Sequence, residues 1–511
     1  MSKINTKNVA KYSAMISLIL VLSKIIGFIR EMLIAAKFGA SIESDIFKTA
    51  TTIPNLFYSC VAAGLVTSFI PSFSSFKNDK KKANLFFSNI FNVLFLICLI
   101  LASIGILFAP QLTRLFVSGF EGEQLVKTYS MTRIAMPSII FLALSGLQTG
   151  YLQSYGVFIQ PALTSIVASF IMIIGILFIR KYGTIAAVLG FLFGTLAQVV
   201  FQWIFMKEYK YRFYFNFKDQ NVKKMLLLSV PILLSSAVSQ INSIVNSRYA
   251  SNLAYGSISI IDYASKVSTI INQVFIVSIT TILYPMLTEK FSSGIKKDFQ
   301  ELIIKSVNIV TIIAIPLIFG MIVLSTPLVK FLLEHGKFNS SDTAITALCL
   351  SYLAIGTFGY SLIDILGKVF FSTKDTVTPM INGFITVGLN IVLIFILVPK
   401  FGVSGLAIAT TTSASIIALI MLIELKIKLK DINFSKFAVV LIKTLTAGLT
   451  MSIAVYFTHN YLNTLTYSEG NIILAIKLCI DAFIGAMVYA GMLLLLRVEE
   501  LQSILSLKKR K

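Results

Sequence analysis

Residues 23–39 read SKIIGFIREMLIAAKFG, an apolar run that nevertheless carries Lys24, Arg30, Glu31 and Lys37. Its length and hydropathy are those of a membrane span. A charged side chain at the bilayer centre costs about 2.5–3.5 kcal/mol on insertion scales. Such residues face a wet cavity or an internal partner, and a cationic cavity suits an anionic cargo. Lys266 stands in a comparable run farther along the chain.

Working outward, the same character recurs. Of 511 residues, 56% are hydrophobic and only 13% charged, and the mean hydropathy is +0.86. That excludes a soluble globular chain. The runs lack the period-two alternation of barrel strands, which leaves an all-α polytopic membrane protein. Fourteen transmembrane helices are expected, near 12–36, 47–75, 85–109, 131–153, 159–179, 185–206, 225–249, 257–288, 303–325, 343–367, 378–398, 404–423, 437–458 and 472–496.

The net charge of +22 does not point to nucleic acid, because of where it lies. Lys3, Lys7 and Lys11, the tail Lys508 to Lys511, and the loops Lys77 to Lys82, Lys207 to Lys224, Lys290 to Lys305 and Lys426 to Lys436 all fall on one side. By the positive-inside rule that side is cytoplasmic, with both termini there. The polar, basic start is not a signal peptide, so the first hydrophobic helix is expected to stay. Cys60, Cys98, Cys349 and Cys479 lie in apolar segments without metal-ligand spacing and read as packing residues. The mixed basic and aromatic segment from Glu208 to Lys224 reads as an interfacial linker, with rings at headgroup level and cations toward anionic lipid.

An ordered internal repeat is visible. Pro71 matches Pro285, Leu112–Leu115 matches Leu328–Phe331, Gly150 matches Gly367, Pro161 matches Pro379, and Lys181-Tyr182-Gly183 matches Lys400-Phe401-Gly402. The separation drifts from 214 residues at the first pair to 219 at the last, as a duplication with small insertions would. Six spans per repeat is an even number, so the repeats are parallel and imply two pseudo-symmetric six-helix lobes. The expected organisation is an N-lobe at 1–207, the linker at 208–224, a C-lobe at 225–430, and helices 13–14 with a basic tail at 431–511.

Within the first span Lys24 and Arg30 are six residues apart, about 240° around a helix, so they flank a face. Gly27 between them permits a bend or a close approach. Either these cations hold phosphate oxygens, or Glu31 neutralises Lys24 or Arg30. Asp45 and Lys48 form a gate pair, or a helix N-cap with its i,i+3 neighbour. Pro54 predicts a kink. Asp262 and Lys266 are spaced for an i,i+4 ion pair, or for a substrate-binding lysine poised by a carboxylate. Asp364 with Lys368, and Lys477 with Asp481, repeat that spacing and read as structural pairs. Arg133 reads as a snorkelling side chain. His335 and His459 fall in outer loops without a partner pattern, no phosphate-binding or dinucleotide loop occurs, and the chain does not read as an enzyme.

The quoted stretch continues through ASIESDIFKTATTIPNLF, and with GLVTSFIPSF, GSISIIDYASKV, ITTILYPMLTEKFSSG, LEHGKF and FFSTKDTVTPMINGFITVGLNIVLIFILVPKFGVSGLAIAT it resembles the MurJ (MviN) lipid II flippases of the MOP superfamily. The resemblance spans nearly the whole chain. It implies two six-helix lobes plus two helices forming a lipid-tail groove, and alternating-access export of lipid-linked peptidoglycan precursor for cell-wall synthesis. Lys24 and Lys266 stand where the family carries arginines, Arg30 matches a family arginine, and Asp45 matches an aspartate near the outer gate. The implied headgroup ligands are Lys24, Arg30 and Lys266; the implied conformational residues are Asp45, Lys48 and Asp262, with Gly27 and Pro54 as hinges. Tyr58, Ser59 and Ala63 replace an Arg-Arg and a Glu of many Gram-negative members, and Ser265 replaces an acidic or amide residue. Those departures keep open a different undecaprenyl-linked glycan of capsule or teichoic type, or a non-transporting scaffold that recruits cell-wall enzymes. No cofactor is implied beyond a coupling ion, Na⁺ or H⁺, or the membrane potential.

Overall fold

The computed structural model describes residues 6–77, 79–207, 209–430, 432–465 and 470–500, except for the side chains at 6–14, 16, 17, 60–67, 224, 226 and 228–239. Lys3, Glu208 and the tail from Lys508 lie outside the described residues, as do the side chains of Lys7, Lys11, Cys60 and Ala63. Every regular element among the described residues is helical.

The chain forms two compact units, residues 1–259 with 335–338, and residues 260–334 with 339–511. The first contains α1 (Thr6–Phe38), α2 (Ile42–Ser74), α3 (Lys80–Leu107), α4 (Ala109–Phe116), α5 (Gly122–Ala135), α6 (Ser138–Ser154), α7 (Ile159–Leu177), α8 (Ile179–Tyr182), α9 (Thr184–Phe205) and α10 (Gln220–Ser251). Helix α11 (Ser257–Asn272) begins in the first unit, passes into the second at Ile260, and is followed by a π-helical turn at Gln273–Val277. The second unit continues with α12 (Ser278–Ser292), α13 (Lys296–Val323), α14 (Ser325–Leu333), α15 (Ser340–Ser372), α16 (Val377–Phe401), α17 (Val403–Leu429), α18 (Ser435–Leu465) and α19 (Asn471–Leu495).

Eleven helical stretches among the described residues are long and apolar enough to cross a membrane. They coincide with expected spans 3 to 6 and 8 to 14. Helices α1, α2 and α10 stand where spans 1, 2 and 7 were expected and run 33, 33 and 32 residues, but are not among the eleven. The count of fourteen therefore remains an expectation. Two of the stretches, Gly122–Ser154 and Ser257–Ser292, each hold more than one helix, because α5 joins α6 and α11 joins α12 with little interruption.

The grouping of α10 differs from the expected lobes. It packs on α2 and belongs to the first unit, not to the second. Its C-terminal end is fixed there by contact: the Gly119 amide donates to Ser251 Oγ at 3.2 Å, and any Cβ on Gly119 would meet the Ser251 carbonyl oxygen at 2.2 Å. Hydropathy marks α10 as a helix but carries no information about which neighbour it joins.

Local chemistry explains where the helices begin. Asp79 accepts from the amides of Lys81 and Lys82 at the start of α3, and Asn339 and Asp342 form a reciprocal capping box at the start of α15. The repeated Lys-aromatic-Gly motif produces one turn twice. Gly183 has φ 65° and ψ −154°, and Gly402 has φ 55° and ψ −134°, a region open to glycine, and each precedes the next helix. The short helices α4 and α14 likewise follow the repeat: they contain the matched segments Leu112–Leu115 and Leu328–Phe331, and each has a proline near its start, Pro110 and Pro327.

The units are filled differently. An aromatic cluster in the first unit joins Phe69, Phe73, Phe87, Tyr151 and Tyr209, with centroids 4.7–6.1 Å apart. The second unit has an aliphatic core where α13, α15 and α17 meet, around Val307, Ile365 and Ile417. A second apolar cluster places α18 and α19 on α13 through Ile315, Met451 and Leu478.

Candidate functional site

In the first unit the charges of α1 and α2 form one network. Arg30 Nη2 lies 2.9 Å from Glu31 Oε1, and Lys48 Nζ lies 3.7 Å from Glu31 Oε2. The Glu31 and Lys48 side chains are nearly buried, while Arg30 keeps 25% of its side-chain surface. Among the described residues Arg30 Nη1 makes only long contacts, 3.5 Å to Ser169 Oγ and 3.6 Å to Met172 Sδ, and its buried Nε has no hydrogen-bond partner. The guanidinium thus retains unused donors. Of the two readings of this span, the Arg30–Glu31 pair is present, and Lys48 from the next helix is added to it. Lys24 is exposed, beside Ser23, which bonds to Ser165. No atom outside α1 lies within 4 Å of a Cβ built on Gly27, so that glycine does not serve a close approach. Helix α2 continues through Pro54.

Asp45 does something local spacing could not indicate. Its Oδ1 accepts from the Ser259 amide at 2.8 Å and the Ser259 hydroxyl at 2.6 Å, and its Oδ2 accepts from the Gly256 amide at 2.8 Å. Asp45 therefore caps the first turn of α11. Its own helix is preceded by Ser41, which makes no side-chain cap bond. Around this cap the backbones touch. The Lys337 amide donates to the Ala36 carbonyl at 2.9 Å, and Gly256 and Gly336, both at positive φ, leave no room for a Cβ beside the carbonyls of Ala40 and Ala36. Glu43 bonds to Lys127 and Thr184, tying α2 to α5 and α9 in the same region.

The second unit holds its charges differently. Lys266 Nζ lies 2.9 Å from Asp262 Oδ2, within one helix, with about a third of each side chain exposed. Lys368 and Asp364 make the same i,i+4 pair at 2.9 Å, joined by Thr280 from α12. In the first unit, Arg133 donates from Nε to the Ile106 carbonyl at 3.2 Å and lies over the Tyr129 ring.

Two expectations are corrected here. His459 is not in a loop: it lies in α18, and its Nδ1 is 2.7 Å from Asp481 Oδ2 on α19. Lys477 turns to Asn463 Oδ1 at 2.8 Å, so the four-residue spacing to Asp481 is part of a cross-helix cluster. The signal was a histidine six residues before the end of one span and an aspartate inside the next. Hairpin pairing could have matched them. Cys98 and Cys349 are buried as expected of packing residues, but Cys479 is exposed. It lines an apolar groove of about 630 Å³ with Phe331, Ile472, Ile476 and Phe483. No cluster of three or more His, Cys, Asp or Glu suited to a metal occurs among the described residues.

Comparison with known proteins gives a consistent result. A family model described as lipid II flippase MurJ matches residues 34–475. The chain is 30% identical over 467 residues to the "Probable lipid II flippase MurJ" of Buchnera aphidicola subsp. Baizongia pistaciae, covering 89% of this chain and 90% of that protein. It is also 30% identical over 401 residues to the protein of that description from Rickettsia prowazekii, covering 77% and 79%. Among solved structures it is similar to a lipid II flippase MurJ in an inward closed conformation, with 27% identity and a TM-score of 0.79 over 93% of this chain and 97% of that one. An inward-facing multidrug resistance MATE family transporter of the MOP superfamily, 15% identical, shares the fold with a TM-score of 0.66 over 81% of this chain and 96% of that one.

Proposed function

The chain belongs to the lipid II flippase MurJ family, and from that premise we propose that it moves lipid II from the inner to the outer leaflet by alternating access, for peptidoglycan synthesis. The relatives' descriptions favour this cargo over another undecaprenyl-linked glycan or a scaffold role. The protein acts as a multi-pass bacterial membrane transporter, and its mechanism needs no catalytic step. The charge asymmetry of the loops supports cytoplasmic termini.

The observation that carries the site assignment is Arg30, a partly buried guanidinium whose Nε has no hydrogen-bond partner among the described residues and whose carboxylate partner is shared with Lys48. Such a group can bind phosphate oxygens through its free donors without first losing Glu31. In this reading Lys24, Arg30 and Lys266 take the pyrophosphate, the lysines acting as point charges. Asp45, Lys48 and Asp262 govern the conformational change, with Asp45 releasing the first turn of α11, while Gly27 and Pro54 let α1 and α2 bend. An inside-negative potential supplies about 2.3 kcal/mol per elementary charge per 100 mV, enough to favour outward movement of an anion. Na⁺ or H⁺ is the alternative coupling ion. Cell-wall synthesis proteins are the natural partners of a protein that delivers their substrate.

The test is lipid II exposure at the outer face of cells depleted of their own flippase and complemented with this chain. Wild type restores exposure; Arg30→Lys and Lys266→Ala, at matched membrane levels, reduce it about tenfold to a hundredfold, as expected for one charge-assisted contact. Full rescue by both variants overturns the site assignment. Failure of correctly inserted wild type overturns the cargo.

A further inference from the structure

The segment joining α9 to α10 has a built relation to α3 that the transport reading does not use. Asn89 grips it at two points, donating from Nδ2 to the Asn216 carbonyl at 3.0 Å and accepting from the Asn216 amide at 2.7 Å. One turn later Asn92 Nδ2 donates to the Tyr214 carbonyl at 3.0 Å, and Asn92 Oδ1 accepts from the Tyr211 hydroxyl at 2.9 Å. Ser88 accepts from the Arg212 amide at 3.3 Å and shares a hydrogen bond with the Tyr209 hydroxyl at 2.8 Å. The backbone groups of 212, 214 and 216 thus face α3 at every second residue, as they would face a neighbouring strand, and three side chains of one helix take the strand's place.

What this strap leaves outward is both cationic and aromatic. Lys210, Arg212 and Lys218 are exposed. So are Phe213, at 81%, and Phe215 and Phe217, whose rings pack edge to face 5.0 Å apart. Asp219, the acid that ends the strap, is committed to the amide of Asn221 at the start of α10. A bare phenylalanine beside cations suits neither bulk water nor hydrocarbon, but it does suit the headgroup layer.

The depth agrees. On α3 the amide and charged side chains stop at Asn92, and from Val93 to Phe108 the only hydroxyl is that of Ser103. That run spans about 24 Å at 1.5 Å per residue, against a hydrocarbon core of about 30 Å. The residues that hold the strap therefore sit at the edge of the apolar layer, where lipid phosphates lie.

We infer that the strap from Tyr209 to Lys218 is a preorganised binding site for the anionic headgroups of glycerophospholipids, and that Asn89 and Asn92 are its positioning residues. The cations attract the phosphates, the rings anchor among the acyl-chain ends, and the asparagines hold both in register although they carry no charge. A merely basic loop would not need them.

The experiment is native mass spectrometry of the full-length purified protein titrated with equal phosphatidylglycerol and phosphatidylcholine. Wild type retains phosphatidylglycerol preferentially. Lys210→Ala/Arg212→Ala/Lys218→Ala reduces that preference on the order of a hundredfold, at about fivefold per cation near an anionic surface. Asn89→Ala/Asn92→Ala reduces it about tenfold through lost preorganisation, with the net charge unchanged. Lys296→Ala/Lys297→Ala, in another exposed basic segment that no asparagine pair holds in register, stays within about twofold of wild type because the preference is read at the preorganised site. Three results overturn the inference: an asparagine variant that keeps the preference, a Lys296/Lys297 variant that loses as much as the strap variant, or displacement of the lipid by an equal concentration of inorganic phosphate.

Discussion

The Glu31 network of the first unit and the Asp262–Lys266 pair of the second are built from the same kinds of charged residue and are held differently. In the first, Glu31 joins Arg30 on its own helix to Lys48 on the next, and Asp45 reaches forward to the start of α11. In the second, Asp262 pairs with Lys266 along one helix with both partly exposed, Asp364 with Lys368 is bridged by Thr280 from α12, and His459 meets the buried Asp481 across α18 and α19. A pair within one helix fixes nothing about its neighbours, whereas a pair across helices fixes their register. The Glu31 network holds two helices of the first unit together, as His459 with Asp481 does in the second, whereas the Asp262–Lys266 pair is made along a single helix.

The widest gap between the two arrangements is expected on removing one carboxylate from each. Glu31→Gln leaves the nearly buried Lys48 and the partly buried Arg30 sharing no anion, a loss of about 3–5 kcal/mol for a broken buried pair. Asp262→Asn leaves a partly exposed lysine and costs under about 1 kcal/mol. Unfolding of both variants in nanodiscs of one lipid composition measures the difference. Equal losses would abolish the distinction drawn between the network and the pair.

A smaller effect sharpens the role of Asp45. Asp45→Ala orphans the amides of Gly256 and Ser259 and costs about 1–2 kcal/mol, the range of a lost N-cap; Asp45→Asn keeps an acceptor and costs less. Hydrogen exchange localises it: amides 256–260 should exchange faster in Asp45→Ala while α15 stays protected. Unchanged exchange at 256–260 would show that the cap contributes nothing to holding α11.

The pattern of these predictions follows what could be read from the residues alone. Membrane helices were legible because hydropathy is local, and the Gly183 and Gly402 turns because a repeated tripeptide needs the same backbone twice. The Asp262–Lys266 pair was legible because i,i+4 places both groups on one face. The partners of Asp45 lie 211 and 214 residues away, and His459 meets Asp481 across a hairpin; no periodicity encodes either contact. Placing α10 with the first unit was equally hidden, since its apolar content is satisfied by any apolar neighbour.

The smallest expected effect lies outside the spans, where a third arrangement occurs. Asp375, between α15 and α16, accepts from Lys428 Nζ at 2.6 Å and from the Thr378 amide at 3.0 Å. Burial pushes its carboxyl upward, but the Lys428 and Thr378 donors outweigh that and hold it down to about 2. A carboxyl whose folded pKa is depressed stabilises fully above its unfolded value, about 3.9. That stabilisation is lost as pH falls from there through about 2. The size is under about 1 kcal/mol for a pair at the surface, and salt reduces it further by screening. Asp375→Asn should therefore be slightly less stable than wild type at neutral pH and converge on it between about pH 4 and pH 2. Raising the ionic strength should narrow the neutral-pH gap, while leaving the Glu31→Gln deficit nearly intact because buried pairs are screened much less. Parallel acid-unfolding curves for wild type and Asp375→Asn would mean that Lys428 gives this carboxylate no more than water does.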